Sequence, residues 1–262
     1  MINLDKSLFL HYGNNVIAIT SGVGSQGKTW LSVTLAHALN LIKQSVLLFD
    51  ADNGLSNIGF QLGKIGDYLL DNAIKGNICL NQAISSLNRK KFDCICGATG
   101  DEILENTPDG RLQILREELN ILTAKYDKII IDMPPSEKII NHLLPQNADL
   151  ILVCTNDPSN LVSTYQFLQQ AVGLYKYKSL QIVVNYANSY EEGLQTYNTL
   201  RRACEKFIKN TPDLLGVIRR DTRVRDAIRS HMLLLNKYPD SEAAEDVRQI
   251  AKRILNLRNN DE

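Results

Sequence analysis

Short runs of almost unbroken apolar residues recur along this chain, separated by longer stretches in which apolar residues return every three or four positions. The runs are NVIAIT (15–20), SVLLFD (45–50), FDCICGA (92–98), DKIIIDM (127–133), ADLILVCT (148–155), SLQIVVNY (179–186) and DLLGVI (213–218). A strand with one wet face alternates apolar and polar residues. Runs without that alternation belong to strands covered on both faces, as in a parallel sheet. Between them the spacing predicts helices over 28–44, 109–126, 158–175 and 240–257. In the first, Leu31, Leu35, Ala38, Leu39 and Ile42 fall on one stripe. Ser159 is the candidate N-cap of the third. Asp240 or Ser241 is the candidate cap of the last, whose acidic first turns suit the helix dipole. Strand–helix alternation predicts an α/β fold: a doubly wound, mainly parallel sheet with helices on both faces. No repeat or Pro/Gly-rich linker interrupts it, so the chain reads as a single domain over 1–262, with an N-terminal extension over 1–14 and a C-terminal helix over 240–257.

The first predicted strand runs into GVGSQGKT, residues 22–29, and a helix follows. This is G-x-x-x-x-G-K-[ST] in the context that gives the motif meaning. Glycines let the backbone curl so that successive N–H groups face a phosphate, and the helix N-terminus adds its positive end. Gly22, Gly24, Ser25, Gln26 and Gly27 are the expected cradle for a nucleotide. Lys28 is expected to reach the β- and γ-phosphates and the Thr29 hydroxyl to ligate Mg²⁺. Two more strands end in acids. LLFDADNG closes with Asp50 and Asp52, and IIIDMPPS with Asp132, the Walker B pattern of an acid in the metal shell. Ligand groups gather at such carboxyl ends in open α/β sheets.

Together these residues resemble the MinD/ParA group of P-loop ATPases, and within it the FlhG/FleN (YlxH) regulators of flagellar placement and number. The likeness covers most of the chain. It includes SVLLFDADNGLSNIGFQLG, YLLDNAIKGNICLNQAI and LGVIRRDTRVRDAIR with PDSEAAEDVRQIAKRIL. It implies binding of ATP or ADP with Mg²⁺, a homodimer formed on ATP, and a protein partner such as a flagellar GTPase or regulator. It implies that Asp50 lies in the metal shell with Thr29 and Asp132, and that Asp52 orients the attacking water beside Lys28. Asn185 in IVVNYAN is implied to hold adenine, and Pro134 to Ser136 to lie near the γ-phosphate.

The chain departs from the family in places. The family loop reads G-K-G-G-x-G-K-[ST], and its first lysine touches the phosphates of the partner copy. Here that position is Val23, which cannot donate to a phosphate. A cation so placed is worth roughly 10³–10⁵ in rate in other P-loop proteins. Ser25 stands at the next glycine, a change expected to matter little unless the loop needs a positive φ there. The D-Q-A-x-x-L-R element that FlhG proteins use on their GTPase is not found in MINLDKSLFLHYG, and Arg219 replaces the proline of I-P-x-D. Two readings therefore stay open: an ATPase switch with slow turnover, and a nucleotide-binding scaffold that does not hydrolyse. A ParA-like DNA-partition protein ranks third.

Composition changes this picture little. With 262 residues, 44% hydrophobic, 22% charged and a formal net charge of +0, the chain reads as cytoplasmic, with no global field toward nucleic acid. Arg219, Arg220, Arg223, Arg225 and Arg229 form a basic cluster, read as a helix face with local ion pairs in preference to a nucleic-acid surface. The tail IAKRILNLRNNDE is weighed as a peripheral membrane contact, but its terminal acids and short apolar face favour packing on its own domain. Trp30 reads as a filler between helix and sheet, and the five scattered cysteines as small buried hydrophobes.

Overall fold

The structure, a computed structural model, describes residues 14–52, 58–63, 70–88, 90–97, 104–145, 147–174, 179–208 and 211–259. Its strands are β1 (Val16–Ser21), β2 (Val46–Asp50), β3 (Ile84–Asn88), β4 (Phe92–Ile95), β5 (Lys128–Asp132), β6 (Asp149–Cys154), β7 (Ser179–Ala187) and β8 (Asp213–Arg219). They form one sheet in the order β3-β4-β2-β5-β1-β6-β7-β8. Every neighbouring pair is parallel except β3–β4 at one edge. The doubly wound α/β expectation holds. Because β1 lies between β5 and β6, the chain switches sides there, and in open α/β sheets the carboxyl ends of the strands at such a point are where ligands bind.

Alternate residues of each buried strand feed different layers. Val16, Ala18, Leu47, Phe49, Ile129 and Ile131 face one core, with the helices Asp109–Thr123, Glu137–Leu143 and Pro158–Leu174. Ile17, Ile19, Val46, Leu48 and Ile130 face the other, with the helices Lys28–Leu41 and Glu242–Asn259. The helix Lys28–Leu41 is buried all round, from Lys28 to Asn40, so the single stripe expected of it understates its burial. It lies between the sheet and the C-terminal helix, and only a helix apolar on most faces tolerates that position. Ile42, assigned to the stripe, is 38% exposed beyond the helix end. Trp30 is buried in this layer, as a filler should be.

The caps need one correction. Asp157, and not Ser159, holds the start of the helix Pro158–Leu174: its Oδ1 accepts the N–H groups of Ser159 at 2.9 Å and Asn160 at 3.3 Å. A carboxylate reaches the free N–H groups of the first turn better than a hydroxyl already inside it. Ser241 does cap the last helix, accepting the Ala244 N–H at 3.2 Å. That helix turns Ala243, Ala244, Val247, Ile250 and Ile254 into the core, so these residues of its apolar face are covered by its own fold. No helix among the described residues is long and apolar enough to cross a membrane. The N-terminal segment 1–13 lies outside the described residues.

Candidate functional site

The loop after β1 is shaped by two close approaches. A Cβ on Gly22 would lie 2.5 Å from the backbone of Ser163 and Thr164, so only glycine lets the loop pass that helix. Gly27, at φ 84, packs against Asn185, whose Nδ2 lies 2.5 Å from where a Cβ would stand. The Asn185 amide donates to the Gln26 carbonyl at 2.9 Å, and its Oδ1 accepts the Tyr186 N–H at 2.9 Å. Asn185, expected at the adenine, therefore stands at the loop and fastens its backbone. Ser25 has φ 63. The condition under which serine was expected to be harmless does not hold, because the loop takes a left-handed turn where a side chain is costly. Val23 is 38% exposed and the space around Gly24 is open.

Behind the loop the acids converge. Asp50 and Asp132 are register partners at the ends of β2 and β5, both without solvent exposure. Asp50 Oδ2 accepts the Ile58 N–H at 2.8 Å, and Gly97 closes over the carboxylate where a Cβ would stand 2.8 Å away. Asp132 Oδ1 accepts from the Ser32 hydroxyl at 3.1 Å, and the Thr29 hydroxyl also bonds this carboxylate. Among the described residues, Asp50 Oδ1 and Asp132 Oδ2 have no hydrogen-bond partner. Burial, and then the charge of Asp132, push Asp50 well above the usual carboxylate range. Burial pushes Asp132 up to about 7, with Thr29 opposing and Asp52 adding to the rise. Lys28 Nζ sits 3.1 Å from Asp52 Oδ2, with both side chains largely buried.

These groups fit a divalent cation. Two buried carboxylates with unpartnered oxygens stand side by side at a place that disfavours their charge, and a cation would satisfy both conditions. Among the described residues no three His, Cys, Asp or Glu gather into a metal cage. A cation here would rest on Asp50, Asp132, the Thr29 hydroxyl, water and phosphate oxygens, which is how Mg²⁺ is commonly held.

The structure brings Lys28, Thr29, Asp50, Asp52 and Asp132 to one end of the sheet. Pro134 and Ser136 stay at that end too: the Pro134 carbonyl accepts from Thr20 Oγ1 at 3.1 Å, and Ser136 Oγ caps Ile139 N–H at 3.2 Å. Two residues were not foreseen. Ser32 shares Asp132 with Thr29, and one helical turn of spacing was the signal that could have found it. Tyr186 follows a register shift between β7 and β8, takes φ 59 and sets its hydroxyl 3.1 Å from where a Gly27 Cβ would be. A bulge that re-aims a side chain in this way leaves no pattern in the sequence. Of the arginine cluster, Arg219 bonds Asp246 at 2.8 Å and Glu242 at 2.6 Å, and Arg223 bonds Asp221 at 2.8 Å. For these two the local ion-pair reading holds.

A phosphate loop, paired strand-end acids and a parallel sheet with a central switch point define a P-loop nucleotide-binding α/β protein. The chain belongs to the CobQ/CobB/MinD/ParA nucleotide binding domain family, whose pattern it matches over residues 17–235. It is 24% identical over 241 residues to the antiactivator FleN of Pseudomonas aeruginosa, covering 91% of this chain and 85% of that one. It is 27% identical over 250 residues to the flagellum site-determining protein YlxH of Helicobacter pylori, covering 94% and 84%. Among solved structures, the septum site-determining protein MinD of Pyrococcus horikoshii in complex with Mg-ADP superposes with a TM-score of 0.73 at 21% identity, over 93% of this chain and 97% of that one.

Proposed function

We propose that the protein is an ATP-dependent switch of the FleN/FlhG kind, with slow turnover, acting on a flagellar or related cell-surface machine through a protein partner. The observation that carries this reading is the Lys28–Asp52 ion pair at 3.1 Å beside two cation-hungry carboxylates. Without ligand, Asp52 neutralises Lys28. When phosphate binds, Lys28 turns to the β- and γ-oxygens and Asp52 is released to accept a proton from water. Mg²⁺, held by Thr29, Asp50 and Asp132, supplies neutralisation of the phosphate charge. Backbone N–H groups of residues 22–29 position the triphosphate, and Asn185 keeps the loop in shape from behind.

Slow turnover follows from Val23, which offers no positive charge to a neighbouring copy. The flagellar role rests on the likeness to FleN and YlxH. Light scattering with and without Mg-ATP, on wild type and Asp52→Ala, together with phosphate release, tests the switch. ATP-dependent dimers trapped by Asp52→Ala, with measurable wild-type turnover, are expected. Val23 also supports a second reading, a binding-only scaffold, and tight ATP binding by a persistent monomer without turnover would select it. In cells, Lys28→Ala should alter the number or placement of flagella seen by microscopy, and an unchanged pattern would refute that role.

A further inference from the structure

The carboxyl end of β7 carries a residue with no part in holding phosphate or metal. Tyr186 follows a register shift between Val184 and Ala187, takes φ 59 and is 39% exposed. A bulky residue in the left-handed region is costly, and it persists only where its surroundings over-determine it. Here they do. The Tyr186 N–H donates to Asn185 Oδ1 at 2.9 Å, the Asn185 amide holds the Gln26 carbonyl at 2.9 Å, and the Arg220 N–H donates to the Ala187 carbonyl at 2.8 Å. In an unbroken strand, residues 185 and 186 would point to opposite faces of the sheet. The bulge brings both to the phosphate loop instead: the Tyr186 hydroxyl stands 3.1 Å, and Cζ 3.4 Å, from where a Gly27 Cβ would be.

The ring lies on the side where the nucleoside end of a nucleotide has to go. In the order β2-β5-β1-β6-β7, the acids at the ends of β2 and β5 stand to one side of β1 and Tyr186 to the other. A phosphate tail drawn over the loop toward Lys28, Asp52 and Asp132 leaves its ribose and base over β6 and β7. Asn185 is 1% exposed, so it holds the loop from beneath and offers a base no surface. Tyr186 does. Burial pushes its phenol up, against the opposing pull of Arg225 and Arg220, so the ring is uncharged at neutral pH. The two guanidinium groups favour an anionic ligand beside it.

We propose that Tyr186 is the platform on which the base of the bound nucleotide stacks. The inference rests on the nucleotide function proposed above and adds the residue that grips the base. Stacking uses the π-face and reads no base edge, so the contribution of Tyr186 is the same for adenine and guanine. It is smaller for a pyrimidine, whose single ring covers less of the platform. The ring supplies it and the hydroxyl does not.

The test uses the full chain with Mg²⁺ and ADP, GDP, UDP and pyrophosphate, the last having phosphates and no base. Affinities come from calorimetry, and the Tyr186 ring protons are followed by NMR. Tyr186→Asn removes the ring through a residue that tolerates the left-handed region, and Tyr186→Phe keeps the ring. Tyr186→Asn should weaken ADP and GDP alike by roughly tenfold, UDP by less, and pyrophosphate by under about twofold. Tyr186→Phe should bind ADP as the wild type does. In the wild type, ADP should move the Tyr186 ring protons upfield through the ring current of the base, and pyrophosphate should not.

Equal losses of ADP and pyrophosphate in Tyr186→Asn would mean that the residue only shapes the loop, and would overturn the proposal. So would an unchanged ADP affinity, a loss confined to one purine, weak ADP binding by Tyr186→Phe, or ring protons that ADP leaves in place. If Tyr186→Asn does not fold, Tyr186→Phe and the ring-proton shifts decide. A wild type that binds none of these ligands would sink the nucleotide reading and the platform together. One that binds ADP without involving Tyr186 would sink the platform alone.

Discussion

Asp132 gives the ligand-free site a measurable pH dependence. Burial is the main cause of its rise from 3.8 to about 7. A group whose folded pKa exceeds its unfolded value stabilises the fold in its protonated form. That contribution is complete below about pH 3.8 and is lost as pH climbs through about 7. At ~1.4 kcal/mol per pH unit, the part lost between pH 5 and 8 comes to roughly 3 kcal/mol at most. Asp50, pushed up by burial and by Asp132 itself, acts in the same direction. The perturbation is Asp132→Asn, which keeps the shape and removes the ionisation. In EDTA without nucleotide, the wild type should melt lower at pH 8 than at pH 5, and the variant should lose most of that slope. For a chain of this size each kcal/mol is worth about 2–4 °C. Parallel melting curves for the two proteins across pH 5–8 would refute the argument that burial of this carboxylate strains the empty site. Added Mg-ATP should restore the wild type alone, because the cation favours the ionised acid.

Further outcomes follow from the loop and the last helix. Val23→Lys returns a cation to an exposed loop position, so phosphate release should rise by roughly 10³–10⁵ with little change in ATP affinity. Ser25→Gly removes a left-handed strain of ~1–2 kcal/mol. The freer unfolded chain takes back ~0.5–1 kcal/mol, so urea unfolding should show a small net gain. Gly27→Ala places a Cβ 2.5 Å from Asn185 Nδ2 at φ 84, and nucleotide binding followed by calorimetry should fall sharply. Arg219→Ala removes the guanidinium from the mostly buried Asp246, which keeps only the residue 219 N–H, and should cost about 1–3 kcal/mol, read as a lower unfolding midpoint.

The central strands were legible because a doubly covered strand needs unbroken apolar residues, and β1, β2, β5 and β6 have them. β3 was not: Ile84-Ser-Ser-Leu-Asn88 is an edge strand of mixed character, and nothing in it stands out from a loop. The acids and the phosphate loop were legible because their spacing to strand ends is fixed by the chemistry of phosphate. What the sequence hides is second-order geometry. The left-handed Ser25, the Asn185 bond to the Gln26 carbonyl and the Tyr186 turn arise from contacts between strands far apart in the chain. The stripe read on the helix Lys28–Leu41 shows the same limit, since periodicity reports one partner surface and this helix has two.

That enclosed helix has a consequence for how the molecule breathes. Local opening events start where few apolar contacts must be broken, and this segment has none of its faces in water until its last residue. Its amides should be among the last to exchange with deuterium, opening only when the whole sheet comes apart. The phosphate loop is thus tethered to the most persistent piece of the structure, and any shape change the nucleotide brings must be expressed by its neighbours.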